Sequence, residues 1–452
     1  MSGSTMGANH STIVGSGMSD TTDVVVIGAG VIGSSAALEL SRLGLRVVVV
    51  DKAGGAGLGS TSASSAIVRF NYSTSDGVAT AWESKHCWEK WADHLRTKDE
   101  SGLASFVRIG MVILDAPPVA SDRTTALFDR LNVPYEIWDA ATLADRVPGI
   151  DTGRYWPPKT IDDEAFFDDP NGHLGAMFTP DAGFVNDPQL ATQNLAVAAQ
   201  ANGAVFRLNR TVVSVDRDHD RVTGVRLSDG TRIATPVVVN AAGPWSSSIN
   251  RLVGVGADFT IAVRPMRQEV HQVPTPPGYN ADEHLGPAIA DLDLGIYLRP
   301  TSPDSLLVGS TEPACDPLEW IDDVEASSPR PTMDRFEAQA TRAARRFPSL
   351  RVPTRPSGIS GVYDVAEDWT PIYDRTDLDG FYVAMGTSGN QFKNAPLAGR
   401  FIAALVEGVE NGHDHDHDPL TYTCEHTGHV IDLGAFSRRR VVNRSSSGTV
   451  MG

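Results

Sequence analysis

Cysteine is scarce in this 452-residue chain, which contains only Cys87, Cys315 and Cys424. The three lie too far apart for a CxxC metal or redox motif, and they are too few for a disulfide framework. The sequence therefore argues against a small disulfide-stapled secreted protein and favours a reducing compartment.

Positive charge and long apolar runs are also in short supply. Lys and Arg number 38 against 56 Asp and Glu, a formal net charge of -18, so we expect no nucleic-acid partner. Apolar stretches such as VVVIGAGVIG are broken by glycine well before the ~20 residues that a membrane helix needs, so we expect no membrane insertion. Residues 1–21 lack the basic and apolar regions of a signal peptide and are predicted to be a disordered tail. A cytoplasmic location is expected.

The strongest motif runs from Asp23 to Lys52. Val24–Ile27 has the continuous apolar character of a buried parallel strand, and apolar residues at helical spacing predict a helix from Val31 to Leu43. Gly44 ends that helix, and a second apolar strand closes on Asp51. The order of strand, helix, strand and acid is typical of a dinucleotide-binding unit.

Within this unit the GxGxxG glycines are Gly28, Gly30 and Gly33. They are expected to allow a tight turn, close approach of a pyrophosphate, and close helix–strand packing, respectively. The helix N-terminus supplies partial positive charge, and Asp51 would accept hydrogen bonds from a ribose. Both FAD and NAD fit this dinucleotide-binding unit, so residues elsewhere in the chain must determine which of the two binds.

The rest of the chain alternates between two patterns. Residues 22–97, 167–255 and 356–409 carry the α/β pattern of a discontinuous nucleotide-binding domain, whereas 98–166 and 256–355 are rich in strands and loops and form a second domain. Residues 410–452 are a C-terminal extension. The helix predicted over Met333–Phe347 alternates charge and alanine as a solvated helix would.

Three further features have open interpretations. HDHDHD, His413–Asp418, resembles a metal-binding run but is expected to be a solvated linker. His271 is expected to be structural. Arg438–Arg440 would contact either a flavin edge or another subunit.

Three ordered segments indicate a family. They are GAGVIGSSAALELSRLG, VVNAAGPWS (Val238–Ser246), and GVYDVAEDWTPI followed by GTSGNQFKNAP. Over most of residues 22–409 the chain resembles the FAD-dependent amine oxidoreductases of the D-amino acid oxidase superfamily, the branch with sarcosine oxidase, dimethylglycine dehydrogenase and glycine oxidase. The resemblance implies an α/β fold in which a Rossmann-like FAD-binding domain of the glutathione-reductase type is interleaved with an α+β substrate domain on a mixed or antiparallel sheet.

The resemblance also implies which residues bind FAD. They are Gly28, Gly30, Val31, Ile32, Gly33, Asp51, Lys52, Ser60, Thr61, Ser64, Ser65, Ala66, Val213, Ala242, Gly243, Trp245, Gly361, Gly386, Ser388, Gly389, Asn390, Gln391, Phe392 and Lys393. Covalently flavinylated relatives carry a cysteine where this chain has Gly361, or a histidine in the stretch that here reads GSTSASSAIV. FAD is therefore predicted to be non-covalent.

Catalytic residues are implied in the same way. Arg69 in AIVRFNY and Lys393 in SGNQFK match an arginine and a lysine that clamp a substrate carboxylate, and Tyr297 in GIYLRP matches a tyrosine of that cavity. A half-buried strand aromatic is an equally good interpretation of Tyr297. Leu307 stands where the monomeric oxidases have a lysine that promotes reaction with oxygen, so oxygen and a protein electron acceptor both stay open.

The predicted function is oxidation of the C–N bond of a small secondary or N-methylated amino acid, sarcosine-like, by hydride transfer to flavin N5. The imine product hydrolyses. The alternatives are a D-amino acid, glycine or 2-hydroxy acid dehydrogenase on the same fold, and a flavoprotein subunit of a heteromeric electron-transfer complex. A homo-oligomer and a heteromeric complex are both compatible with the sequence.

Overall fold

A six-stranded sheet, here called the central sheet, is built around the first apolar strand. The computed structural model describes residues 20–117, 121–280 and 284–452. In spatial order the strands of the central sheet are Val205–Arg207, Val47–Val50, Val24–Ile27, Val237–Asn240, Phe381–Met385 and Ile372–Arg375. The first five are parallel and the last is antiparallel.

Alternate residues of the central strands face two different layers, which is why these strands are continuously apolar. Val24 and Val26 belong to one hydrophobic cluster, and Val25 and Ile27 belong to another. The first layer contains the helices Val31–Arg42, Pro188–Ala201 and Ala395–Glu410. The second contains a four-stranded sheet of Asp20–Thr21, Arg232–Ala234, Arg221–Leu227 and Val212–Asp218.

A nine-stranded mixed sheet, here called the second sheet, forms the other domain. Its path runs Glu319–Trp320, Val263–Pro274, Ser305–Ser310, Ile296–Ser302, Ala288–Asp291, Met111–Leu114, Ala176–Thr179 and Glu136–Trp138, with Gly358–Ala366 also pairing along Val263–Pro274. The helix Met333–Arg346 packs on this sheet through Phe336, Ala340 and Ala343. The α/β fold predicted from the sequence, with an interleaved second domain, is confirmed.

The remaining elements connect and flank the two sheets. The strands are Ile67–Val68, Gly183–Val185 and Phe106–Arg108 in one small sheet, and Thr421–Thr423 with Val430–Asp432 in another. The α-helices are Ser75–Glu89, Trp91–Leu95, Ser121–Leu131, Ala140–Arg146 and Ser246–Val253. Short 3₁₀ turns span Glu164–Phe167, Gly243–Trp245, Phe392–Asn394 and Leu433–Phe436.

Two of the expected domain boundaries cut through the second sheet. Ala176–Thr179 and Gly358–Ala366 lie in stretches assigned from the sequence to the nucleotide-binding domain, yet both pair with strands of the second sheet. The nucleotide-binding pieces are therefore shorter at those two points. Apolar alternation does not tell which sheet a strand joins, because both sheets bury such a strand.

The helix Met333–Arg346 is not the solvated helix that its charge pattern indicates. Arg346 is fully buried against Asp291 and Asp293, and Arg342 is buried beside Asp316. Two of the arginines that suggested exposure are thus neutralised by acids from outside the helix.

The terminal segments also depart from expectation. Of the predicted disordered tail, residues 1–19 lie outside the described residues, and Asp20–Thr21 pair with Ile233 and Ala234. HDHDHD is not a solvated linker, since His415 is buried and Asp416 binds the buried Arg438. No cluster of His, Cys, Asp or Glu in the described ranges has the arrangement of a metal site.

The three consecutive arginines bind carboxylates of their own chain. Arg438 pairs with Asp374, Asp258 and Asp416, and Arg440 pairs with Asp368. These ion pairs attach the C-terminal extension to the body of the protein. Among the described helices none is both long enough and apolar enough to cross a lipid bilayer.

Candidate active site

A cavity of about 390 Å³ opens where the parallel strands of the central sheet end. Gly28 follows the strand Val24–Ile27, Asp51 follows Val47–Val50, and Ala242 follows Val237–Asn240, and all three residues line the cavity. Ligands of open α/β sheets bind at this edge, because the loops and helix N-termini converge there. A cavity of this volume suits a small organic ligand or part of a cofactor.

At Gly28 and Gly33 the backbone of the glycine turn leaves no room for a side chain. Gly28 has φ +106°, and a Cβ there would lie 2.4 Å from the carbonyl oxygen of Ala241. A Cβ on Gly33 would lie 2.0 Å from the carbonyl oxygen of Gly28. The helix that follows begins at Val31, with Gly30 as its N-cap, no capping side chain and no acid in its first turn, so its positive end is free to face an anion.

Asp51 is held at the rim of the cavity by two backbone amides. Its Oδ2 accepts a hydrogen bond from the Ala29 N–H at 2.6 Å, and its Oδ1 accepts one from Ala53 at 2.7 Å. Next to it, the Lys52 ammonium lies 3.7 Å above the ring of Trp245. The glycine cradle, helix end and fixed acid match the pyrophosphate and ribose of a dinucleotide, so these residues fit FAD.

Five of the residues implied to bind FAD do not line the cavity, and all the others do. The five are Gly33, Val213, Gly361, Gly386 and Ser388. Gly33 acts through helix packing, as expected. The side chain of Val213 is exposed, and the cavity is lined by its neighbours Thr211 and Val212 instead.

Ser388 shapes the loop behind the cavity wall. It is fully buried with φ +49°, and its Oγ donates to the carbonyl of Gly386 at 3.0 Å and accepts from the N–H of Ala366 at 3.1 Å. The next residue, Gly389, lies against the ring of Tyr363, where a Cβ would come within 2.3 Å. These contacts position the lining residues Gly389 to Lys393.

Arg69 and Lys393 meet at one tyrosine that the sequence did not single out. The Arg69 guanidinium lies 5.4 Å and the Lys393 ammonium 4.7 Å from the ring centre of Tyr72. Lys393 donates to the Tyr72 hydroxyl at 2.7 Å and to the carbonyl of Asn390. Both cations are buried, with 6% and 2% of their surface exposed, and both line the cavity.

Neither cation forms a salt bridge to any residue that the structure describes. Burial lowers the pKa of Arg69, and burial together with the Arg69 charge holds the pKa of Lys393 well below its ordinary value. Burial raises the pKa of the nearby Glu312 carboxyl to about 8, which weakens it as a counter-charge to Arg69 near neutral pH. Two buried basic side chains thus face the cavity without a salt bridge to any described residue.

Tyr297 lies buried in the strand Ile296–Ser302 and lines the same cavity. Its hydroxyl lies 2.6 Å from the Oγ of Ser65, and burial raises its pKa to about 12. Tyr297 is therefore a neutral hydroxyl near neutral pH. Leu307 and His271 do not line the cavity, and His271 lies fully buried beside Gln339, with Nδ1 2.8 Å from its amide oxygen.

Sequence reasoning missed Tyr72, Glu312, Val450 and Met451. Tyr72 carries a weak signal, since it follows Arg69 by three residues in the segment that was singled out. The C-terminal residues carry none: SSSGTVMG has neither a charge nor a recognisable motif. Only the folded chain brings Val450 and Met451 to the cavity.

Comparison with known proteins agrees with this geometry. The model of the family described as FAD dependent oxidoreductase matches residues 23–405. Glycine oxidase of Geobacillus kaustophilus is 27% identical over 405 residues, covering 88% of this chain and 96% of the relative. N-methyl-L-tryptophan oxidase of Citrobacter koseri is 25% identical over 409 residues, covering 87% and 96%.

A solved structure shares the fold. L-proline dehydrogenase from P. horikoshii superposes with a TM-score of 0.70 at 23% identity, covering 86% of this chain and 94% of that one. The predictions of an FAD cofactor and of an oxidoreductase are confirmed. This chain belongs to the FAD dependent oxidoreductase family.

Proposed function

We propose that this protein oxidises the C–N bond of a small amino acid whose nitrogen is secondary or N-methylated, and that Arg69 and Lys393 hold the substrate carboxylate. The observation that carries the proposal is a pair of buried basic side chains that both face the cavity of the glycine turn and form no salt bridge to any described residue. The relatives named for oxidation of glycine and of N-methyl-L-tryptophan support an amino acid as the substrate class.

The electrostatics favour a carboxylate over other ligands. A buried cation without a counter-charge is costly, and a ligand carboxylate removes that cost while accepting hydrogen bonds from both side chains. The planar guanidinium of Arg69 suits a bidentate contact, and the ammonium of Lys393 adds a point charge beside it. Protonated Glu312 does not repel the ligand near neutral pH.

FAD, when bound, supplies a two-electron acceptor that takes the substrate hydride at its N5. The chain's own residues orient the substrate: the clamp fixes the carboxylate, and the buried walls around Tyr297 and Met111 exclude water. A neutral amine donates hydride more readily than an ammonium, so the site should favour deprotonated substrate. The substrate loses a hydride and a proton, and the resulting imine is hydrolysed by water.

We also propose that FAD is held without a covalent bond. Gly361 occupies the place of the attaching cysteine, and no cysteine or histidine of the described chain lines the cavity. Cys87 and Cys424 are buried elsewhere. Denaturation with acid should therefore release all the flavin into the supernatant, and flavin that stays with the precipitate would contradict this.

The substrate class is tested with the holoenzyme under anaerobic conditions. Sarcosine, other N-methylated amino acids, glycine, D-alanine and D-lactate are added in turn, and loss of the flavin absorbance is followed. We expect bleaching to be fastest with the N-methylated amino acids. Bleaching by no amine would overturn the proposal, and bleaching by D-lactate alone would favour a 2-hydroxy acid dehydrogenase.

The electron acceptor is tested on the reduced protein. Admitting oxygen and measuring peroxide separates an oxidase from a dehydrogenase that needs a protein acceptor. The resemblance gives this chain no counterpart of the lysine that promotes reaction with oxygen in the monomeric oxidases, so we expect slow reoxidation by oxygen and faster reoxidation by an artificial electron carrier. Rapid, stoichiometric peroxide formation would contradict that expectation.

A further inference from the structure

The last six residues of the chain fold back onto the cavity. We call Ser447–Gly452 the C-terminal strap. It is a compact turn in which the Gly452 N–H donates to the carbonyl of Thr449 at 3.0 Å and the Ser447 N–H donates to the carbonyl of Gly452 at 3.2 Å. The strap begins just after Asn443, which anchors the chain to Ser73 and Asp368.

The strap accepts hydrogen bonds from both terminal nitrogens of Arg69, one of which, Nη1, also donates to the carbonyl of Asn71. Nη1 of Arg69 donates to the carbonyl of Met451 at 3.0 Å, and Nη2 donates to the carbonyl of Val450. The N–H of Val450 donates to Oε2 of Glu312 at 2.8 Å. Val450 and Met451 line the cavity, and Met451 is 4% exposed.

Gly452 packs against the ring of Tyr72. It has φ +90°, and a Cβ on it would lie 2.6 Å from Cδ1 of Tyr72. The strap therefore contacts both Arg69 and Tyr72 through its main chain. The carbonyls of Val450 and Met451 thus accept from the Arg69 nitrogens to which the proposed function assigns the substrate carboxylate.

We propose that the C-terminal strap is an autoinhibitory element whose Val450 and Met451 carbonyls compete with the substrate carboxylate for Arg69. The inference rests on the proposed function for the kind of ligand that Arg69 binds. A carboxylate displaces the strap because hydrogen bonds between two charged groups are stronger than those from a cation to a neutral carbonyl. The strap keeps the buried guanidinium hydrogen-bonded when no substrate is present.

The direct test removes the strap. Holoenzyme truncated after Ser446 is titrated with acetate by isothermal calorimetry and compared with the full chain, and acetamide serves as the uncharged control ligand. We expect acetate to bind at least tenfold more tightly to the truncated protein and acetamide to show no such gain. An unchanged or weaker affinity for acetate would overturn the proposal, because the strap would then be a wall of the site.

A point variant gives the same test without shortening the chain. Gly452→Ala places a methyl group against Tyr72 at a residue with positive φ, so it loosens the strap. Gly428→Ala is the matched control, since Gly428 has φ +72° and open space around it. We expect acetate affinity to rise several-fold in Gly452→Ala and not in Gly428→Ala. Equal effects in the two variants would contradict a role for the strap contact.

Adding Arg69→Met to both proteins separates this proposal from the proposed function. If Arg69→Met abolishes acetate binding in the full chain and in the truncated chain, yet truncation has no effect by itself, only the strap proposal fails. If Arg69→Met leaves acetate affinity unchanged in both, the carboxylate clamp of the proposed function is wrong. We expect loss of acetate binding with Arg69→Met and a gain from truncation only where Arg69 is present.

Discussion

Two sets of buried cations in this molecule have opposite surroundings. Arg346 lies 2.7 Å from Oδ2 of Asp291 and 2.9 Å from Oδ2 of Asp293, with all three residues fully buried. Arg69 and Lys393 are as deeply buried, but their partners are carbonyl and hydroxyl oxygens. Arg346 is neutralised by acids of its own chain, as in a structural ion pair, whereas Arg69 and Lys393 are the residues that we propose to bind a ligand carboxylate.

The pKa shifts express the same contrast. Burial alone would lower the pKa of Arg346, but the charges of Asp291 and Asp293 raise it above its ordinary value. The pKa of Arg69 is lowered, because burial outweighs the opposing charges of Tyr72 and Glu312. The sign of the shift thus differs between Arg346, which is paired with acids, and Arg69, which is not.

The largest effect is expected from the removal of Arg346, which pairs with two buried acids. Arg346→Met leaves Asp291 and Asp293 buried without a counter-charge, so we expect the free energy of unfolding to fall by about 3–5 kcal/mol. The measurement is the midpoint and slope of urea denaturation of the holoenzyme. Arg351→Met is the control, since Arg351 lies on an exposed stretch beyond the same helix.

If Arg346→Met were as stable as Arg351→Met, the contrast between Arg346 and the cavity cations would be wrong. That outcome would mean that Asp291 and Asp293 are neutral in the folded protein. Adding Asp291→Asn to Arg346→Met should restore part of the lost stability, because one buried charge is then removed.

Arg69→Met should affect binding rather than stability. We expect acetate affinity to fall at least about thirtyfold, since truncating one partner of a buried charge pair costs about 2 kcal/mol or more. The urea midpoint should change little, because the variant also removes a buried cation that lacks a counter-ion. Calorimetric titration and urea denaturation of one preparation give both results, and a large stability loss would place Arg69 with the structural arginines.

Much of the fold was predictable because its signals are local. The glycines, the helix that starts at Val31 and the acid Asp51 lie within one stretch of about thirty residues. Arg69, Lys393 and Tyr297 were found through resemblance, and the structure places all three at one cavity. Which of them touches substrate stays a prediction.

The structural charges were not predictable because their partners are distant in sequence. Arg346 and Asp291 are 55 residues apart, and Arg438 and Asp374 are 64 apart. Seen alone, the arginines of Met333–Arg346 suggest a solvated face, and HDHDHD suggests a linker. The contact of the C-terminal strap with the cavity was not predictable for the same reason, since Val450 and its partner Glu312 are 138 residues apart.

Lys393→Met should weaken acetate binding less than Arg69→Met does. The pKa of Lys393 is held well below its ordinary value by burial and by Arg69, so its positive charge is more easily lost than that of Arg69. We expect a decrease of about tenfold, equivalent to about 1.4 kcal/mol, in the same calorimetric titration. An effect as large as that of Arg69→Met would mean that Lys393 is fully charged in the free protein.

The smallest expected effect tests whether Glu312 is the missing counter-ion of Arg69. Burial raises the pKa of Glu312 from 4.5 to about 8, although the Arg69 charge lowers it. Between these values the unfolded chain is ionised and the folded protein keeps the proton. The stability contributed by Glu312 is therefore complete below pH 4.5 and is lost as the pH rises to about 8.

Glu312→Gln stays neutral at every pH, and the Gln268 amide that donates to Glu312 can turn to accept from it. We expect the stability of Glu312→Gln relative to the unmutated protein to increase from pH 5 to pH 8 and to stay constant above, measured by urea denaturation at pH 5, 7 and 9. If Glu312 were ionised against Arg69, its pKa in the folded protein would lie below 4.5, and the variant would be less stable than the unmutated protein by a constant amount from pH 5 to pH 9. A rising or a flat profile therefore decides whether Glu312 is an ionised partner of Arg69, since these two groups lie close together.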